Sequence, residues 1–156
     1  MNPIDTAVLA AALVWNGLLA GLFFAFACAI VPGLRRVDDH TYVTAFRAIN
    51  QAIVNAVFLL VFLGAPLLAA VTVVLRPADV ALPWLIAGLV CAIATFAITV
   101  GVNVPLNRRL DDAAVQTAAE LAAARGGFER RWNAAHLVRT LTGIGAVAFL
   151  AIAVLV

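Results

Sequence analysis

NQAIVNAVFLLVFLGAPLLAAVTVVLRPADVALPWLIAGLVCAIATFAITVGVNV, residues 50–104, contains only two charged residues, Arg76 and Asp79, and both lie at its middle. The hydrocarbon core of a bilayer is ~30 Å thick, so a helix needs about 20 apolar residues to cross it. The segments on either side of Arg76-Pro77-Ala78-Asp79 meet that length, at residues 50–75 and 83–104. Pro77 has no N–H to continue a helix. The stretch therefore reads as two spans joined by a short turn, an antiparallel hairpin.

Outward from the hairpin the same pattern recurs at residues 6–31 and 134–156. The whole chain is 65% hydrophobic and 12% charged, with a mean hydropathy of +1.09, well above the roughly 45–50% apolar content of soluble domains. The expectation is an all-α integral membrane four-helix bundle, forming a single transmembrane domain over residues 1–156. Ala27-Cys28-Ala29 has the look of a signal cleavage site, but no basic residue precedes the apolar run and that run exceeds a signal core. The first span is read as retained.

The basic residues are all arginine, and the formal net charge is +2. So small an excess does not point to nucleic acid. It bears on topology instead. The connections 32–49 and 105–133 hold Arg35, Arg36, Arg47, Arg108, Arg109, Arg125, Arg130 and Arg131, whereas the hairpin turn holds Arg76 alone. The positive-inside rule places both long connections in the cytoplasm and both termini outside. The alanine-rich, lysine-free composition suits a GC-rich bacterial genome, and so a plasma membrane.

Both connections are expected to form short cytoplasmic helical extensions. Asp38-Asp39-His40-Thr41 offers caps for a helix that runs through Tyr42, Val43, Phe46 and Ile49 straight into the second span. A second helix over residues 107–125 is expected to end at Gly126-Gly127. No internal repeat is evident. Cys28 and Cys91 read as small core residues. Alanine and glycine in the first and last spans suit close helix packing, and leave open whether one such face meets a second copy in a homo-oligomer.

Strongly polar residues inside a bilayer are costly and turn towards a bundle interior or a cavity. Asn50 and Asn55, Asn103 and Asn107, and His136 and Arg139 all fall at one depth, at the loop ends of spans two, three and four. Trp132, His136 and Arg139 are spaced i, i+4, i+7 and share a helix face. A pocket at the cytoplasmic mouth of the bundle follows. Asn16 lies apart and is expected to bond a neighbouring helix. Blander readings exist for each residue: Arg139 snorkelling to headgroups, Trp132 as an interfacial anchor, His136 as a structural residue, and His40 as a surface one. With two histidines and no ligand spacing, no metal site is indicated. A haem held by His136 alone stays open, whereas a bis-histidine haem would need His40 to reach His136.

Three stretches, GLLAGLFFAFACAIVPGLRR (residues 17–36), NVPLNRRLD (103–111) and FERRWNAAHLVRT (128–140), resemble the anthrone oxygenase family, also called DUF1772, of small four-span membrane proteins. The resemblance implies a monooxygenase-like reaction. Dioxygen would oxidise an anthrone, or another lipophilic phenol or quinol entering from the bilayer, with no cofactor required. On that implication His136 is the general base and Arg139 holds the substrate anion and peroxide. Trp132 stacks on the ring system, and Asn50, Asn103 and Asn107 position its oxygens. The alternative is a non-enzymatic membrane module that uses the same pocket to bind a quinone, haem, lipid or partner subunit, with Arg108, Arg109, Arg130 and Arg131 as a collar for anionic lipid.

Overall fold

The computed structural model describes residues 2–75, 77–78 and 80–155. The chain forms helices α1 (Pro3–Ala25), α2 (Val31–Leu34), α3 (Asp39–Ile53), α4 (Ala56–Leu75), α5 (Leu82–Ile98), α6 (Val104–Asp112) and α7 (Ala118–Leu155), with π-helical turns at Phe26–Ile30 and Thr99–Asn103. Four continuous helical stretches, Pro3–Leu34, Ala56–Leu75, Leu82–Asp112 and Ala118–Leu155, are long and apolar enough to cross a membrane. The all-α four-helix bundle is thus present. Of the expected hairpin turn, Arg76 and Asp79 lie outside the described residues.

The two π-turns share a cause. Each stands immediately before a Val-Pro pair, Val31-Pro32 and Val104-Pro105, where proline withdraws one N–H from the helical ladder. Val31 and Val104 then donate to the carbonyls of Phe26 and Thr99, five residues back. Arg-Arg follows each pair at the same distance, in Val31-Pro32-Gly33-Leu34-Arg35-Arg36 and Val104-Pro105-Leu106-Asn107-Arg108-Arg109. An internal repeat, not evident on sequence reading, therefore emerges from the structure. Each half runs long helix, π-turn, Val-Pro, short helix, and then a return to the far end of the bundle. Within the halves α1 packs on α4 and α5 on α7, while α1–α7 and α4–α5 join the halves.

Two helix boundaries differ from expectation. The second span does not continue from the preceding helix: α3 stops at Ile53, Val54 leaves helical geometry at φ −80° and ψ 70°, and Asn55 starts α4. Asn55 accepts from Phe58 N through Oδ1 at 3.0 Å and from Leu59 N through its carbonyl at 3.0 Å. It is a cap, not a pocket residue. Conversely, the helix expected to end at Gly126-Gly127 runs straight through them. Its start is a capping box that reads T-x-x-E: Thr117 Oγ1 accepts from Glu120 N at 3.2 Å, and Glu120 Oε2 accepts from Thr117 N at 3.0 Å. Glycine ends a helix when the chain needs a left-handed residue; here Phe128, Trp132 and His136 bury the next turns and hold them helical. At 1.5 Å per residue α7 is about 57 Å long, nearly twice the ~30 Å of a bilayer's hydrocarbon core.

The core has three tiers. Leu9, Ala12, Ala69, Leu85, Ala146 and Leu150 pack near the termini, and Leu19, Phe23, Phe62 and Ala65 in the middle. Tyr42, Phe46, Leu110, Phe128 and Trp132 pack at the loop end. Asn16 donates to the Ala12 and Ala65 carbonyls at 2.8 and 3.0 Å, bridging α1 to α4 as expected. Cys91 is half-buried against Gly145, but Cys28 is exposed and so is not the core residue anticipated. Its place on the outer side of the π-turn follows from the extra residue, which shifts the helical face.

The loop end is held by two arginines. Arg47 on α3 donates from Nε and Nη2 to the Leu110 carbonyl at 3.0 and 2.7 Å, and from Nη2 to the Ala113 carbonyl at 2.7 Å. It thereby satisfies the open C-terminus of α6. Arg125 on α7 bonds Glu129 at 2.7 Å, Asp39 at 3.1 Å and the Val37 carbonyl at 2.9 Å, tying the α2–α3 connection to α7. The connections are thus fixed scaffolding for what lies beneath them.

Candidate functional site

The inward face of α7 carries Phe128, Trp132, His136 and Arg139, all buried. Periodicity places them there: steps of three and four residues keep one face turned to α1, α3 and the third span. Trp132 is 2% exposed, which rules out the interfacial-anchor reading. Its ring stacks on His136 at 4.7 Å with 16° between planes, and Phe128 lies at 5.8 Å with 30° between planes. Its Nε1–H donates to Asn107 Oδ1 at 2.7 Å. Phe46 stands edge-on to the Trp132 ring at 4.8 Å, and the Arg139 guanidinium lies over that ring at 5.1 Å.

His136 is 1% exposed, and both ring nitrogens are engaged. Arg139 Nε donates to Nδ1 at 3.0 Å, so Nδ1 is an acceptor and the hydrogen belongs on Nε2. Nε2–H then donates to the Phe23 carbonyl at 3.1 Å. The histidine thus faces no open space with a free nitrogen, whether for a substrate proton or for an iron. In this geometry it holds the Arg139 guanidinium through Nδ1. His40, the other histidine, is exposed on α3, on the loop side of the bundle.

Arg139 lies at the centre of the cluster. It is only 8% exposed, it lies over the Phe23 and Trp132 rings at 4.2 and 5.1 Å, and its Nη1 donates to Thr99 Oγ1 at 3.4 Å. It does not snorkel. Among the described residues no carboxylate pairs with it, and Nη2 has no acceptor. A buried charge without a counter-ion is costly, and aromatic faces offset only part of that cost. Such an arrangement is poised for an anion.

Arg139 borders a partly open cavity of about 90 Å³, walled by Phe23, Phe26, Phe46, Phe58 and Trp132 and carrying Asn50, Asn107 and Thr99 as further polar groups. Asn50 is 8% exposed and, among the described residues, its buried Nδ2 has no acceptor, a second unpartnered donor at the cavity wall. Asn103 is fully buried behind this wall. Its Nδ2 donates to the Trp132 carbonyl at 3.3 Å, and it does not reach the cavity. The structure therefore brings Asn50, Asn107, Trp132 and Arg139 to one cavity and sets His136 and Asn103 in the layer that supports them. Among the described residues no three His, Cys, Asp or Glu side chains gather as a metal site would require.

Sequence reading missed Thr99 and the Phe23 carbonyl. Thr99 sits four residues before Asn103 and four after Thr95, and this i, i+4, i+8 polar row along the third span was a readable signal. Outside the spans, Tyr42 packs below Arg125 at 4.4 Å with its hydroxyl unpartnered. Burial, and then the nearby Glu129 carboxylate, push its phenol well above the ordinary range, so it stays neutral and supplies no base.

The model of the anthrone oxygenase family matches residues 42–149, more than half of the chain and a stretch that contains every polar residue of the cluster. No curated protein and no solved structure matches the chain.

Proposed function

Because the chain belongs to the anthrone oxygenase family, we propose that it is a membrane-embedded oxygenase that converts an anthrone-like or phenolic lipophilic aromatic to the corresponding quinone with dioxygen. The observation that carries this reading is Arg139: a buried guanidinium, without a carboxylate partner among the described residues, at the wall of an aromatic-lined cavity. A phenol and its carbon-acid tautomer share one anion. Arg139 Nη2 and Asn50 Nδ2 are donors for its oxygen, in an apolar setting where such donors act strongly.

Binding as the anion releases the substrate proton. Dioxygen, which concentrates in hydrocarbon, adds to the ring carbon that carries most of the anion's charge, forming a carbon–oxygen bond and a peroxide anion. Protonation gives the hydroperoxide. Loss of the hydrogen on that carbon with cleavage of the oxygen–oxygen bond leaves a carbonyl and water. One oxygen atom enters the product, the other becomes water, and the balance requires no added reductant.

In this reading Arg139 and Asn50 touch the substrate, Asn107 holds the Trp132 edge in the wall, and Asn103 supports that wall. His136 is a positioning residue that orients Arg139 rather than the base. The arginine-rich loop end faces the cytoplasm of a plasma membrane and both termini lie outside. The test is oxygen uptake with an anthrone and with alkylphenols in reconstituted membranes. Wild type is expected to consume oxygen, and Arg139→Gln to lose at least about tenfold in kcat/KM, the effect of one charge-assisted hydrogen bond. Equal rates for the two proteins would overturn the assignment.

A further inference from the structure

We infer that the preferred ligand is a single-ring phenol or quinol with a long apolar tail, the ring in the Arg139 cavity and the tail lying along the outside of α1 and α4. The inference rests on the reading that this cavity is where substrate binds, and it narrows the substrate class. Two observations carry it. The first is size: about 90 Å³ is less than the ~150 Å³ of a cavity known to accept benzene. One ring fits with modest opening of the partly open wall, whereas three fused rings would need a much larger one. The second is continuity. A shallow apolar groove walled by Leu18, Leu19, Val57 and Val61 runs along α1 and α4 and shares Leu22, Ile53 and Phe58 with the cavity.

The break at Val54–Asn55 lies at that junction. Ending α3 at Ile53 and restarting at Ala56 leaves Val54 exposed beside the neck. A tail emerging there stays in hydrocarbon. Because lipid is as apolar as the groove, the groove adds little affinity. What it does is set the ring's depth and direction of entry.

The donors also choose the headgroup. Arg139 spends its Nε–H on His136 and one N–H of Nη1 on Thr99, leaving Nη2 as the nitrogen with no partner among the described residues. The side-on pair of guanidinium N–H groups that grips a carboxylate is therefore broken. One oxygen held by Arg139 Nη2 and Asn50 Nδ2 suits a phenolate better than a fatty acid.

The experiment is equilibrium binding, without oxygen, of dodecylhydroquinone, anthrone and dodecanoate to the full chain in nanodiscs, expressed per mole fraction in the lipid. Trp132 fluorescence in a Trp15→Phe, Trp84→Phe background is the readout. Dodecylhydroquinone is expected to bind at least about tenfold more tightly than the other two, and Arg139→Gln to weaken it on the order of tenfold or more. Val57→Phe, a change in the lipid-facing groove outside the cavity, should weaken dodecylhydroquinone while leaving methylhydroquinone unaffected. Anthrone or dodecanoate binding as tightly, or indifference to both substitutions, would overturn the proposal. Selective binding of dodecylhydroquinone, with no oxygen uptake in air on 3-dodecylphenol, whose para carbon carries the hydrogen that the oxygenation removes, would uphold it while removing the oxygenase reading.

Discussion

If His136 positions Arg139, its replacements should divide by hydrogen-bonding ability rather than by acid–base chemistry. His136→Ala removes the acceptor for Arg139 Nε at 3.0 Å and the donor to the Phe23 carbonyl at 3.1 Å. The hydrogen bond lost to a charged group accounts for about 1.5–3 kcal/mol, and the vacated ring volume adds to that. At about 1.4 kcal/mol per factor of ten, displacement of the guanidinium should lower kcat/KM by about 10- to 100-fold. Thermal unfolding should fall in parallel. His136→Gln keeps one acceptor and one donor on the same side chain, and is expected to stay within about tenfold of wild type with an unchanged pH profile. A general base would behave differently, because glutamine cannot take the proton and such a base is worth about 10²- to 10⁴-fold. The assay is oxygen uptake over a pH series, with kcat and KM separated. If His136→Gln is as inactive as His136→Ala and the acid limb of the profile disappears, the positioning role is refuted.

Two further predictions concern packing. At Gly88 an added Cβ would stand 2.9 Å from Leu150 Cγ and 3.3 Å from its backbone nitrogen, so Gly88→Ala should destabilise the α5–α7 contact by about 1–3 kcal/mol, whereas Gly126→Ala, in open space within α7, should stabilise by up to about 1 kcal/mol. Thermal unfolding of the pair in one detergent compares them directly. The Tyr42 hydroxyl is buried without a partner, so Tyr42→Phe should leave the unfolding temperature unchanged or raise it, the relieved desolvation being about 1 kcal/mol or more; a clear fall would show that the hydroxyl is in fact bonded.

The spans were legible because hydropathy alone decides them: residues 50–104 carry charge only at the hairpin turn. Boundaries that depend on tertiary burial were not. Gly126-Gly127 carries a local stop signal that the buried face of Phe128, Trp132 and His136 overrides, while the break before Asn55 has no proline or glycine to announce it. The common depth of Asn50, Asn103, Asn107, His136 and Arg139 was readable from position within each span. Which of them reach open space was not. That depends on rotation about helix axes and on the π-turns, which bring Asn103 behind the wall and leave Arg139 at it. The role of His136 hinges on the Phe23 carbonyl, a backbone atom 113 residues away in sequence that no side-chain pattern encodes.

The central claim, that this chain inserts oxygen from dioxygen into a phenolic ring held at Arg139, is tested most directly by turnover under ¹⁸O₂ with mass analysis of the quinone. One heavy oxygen per quinone is expected, the second recovered in water, with loss of product formation in Arg139→Gln. A quinone formed without label, with hydrogen peroxide accumulating instead, would show simple dehydrogenation and contradict it.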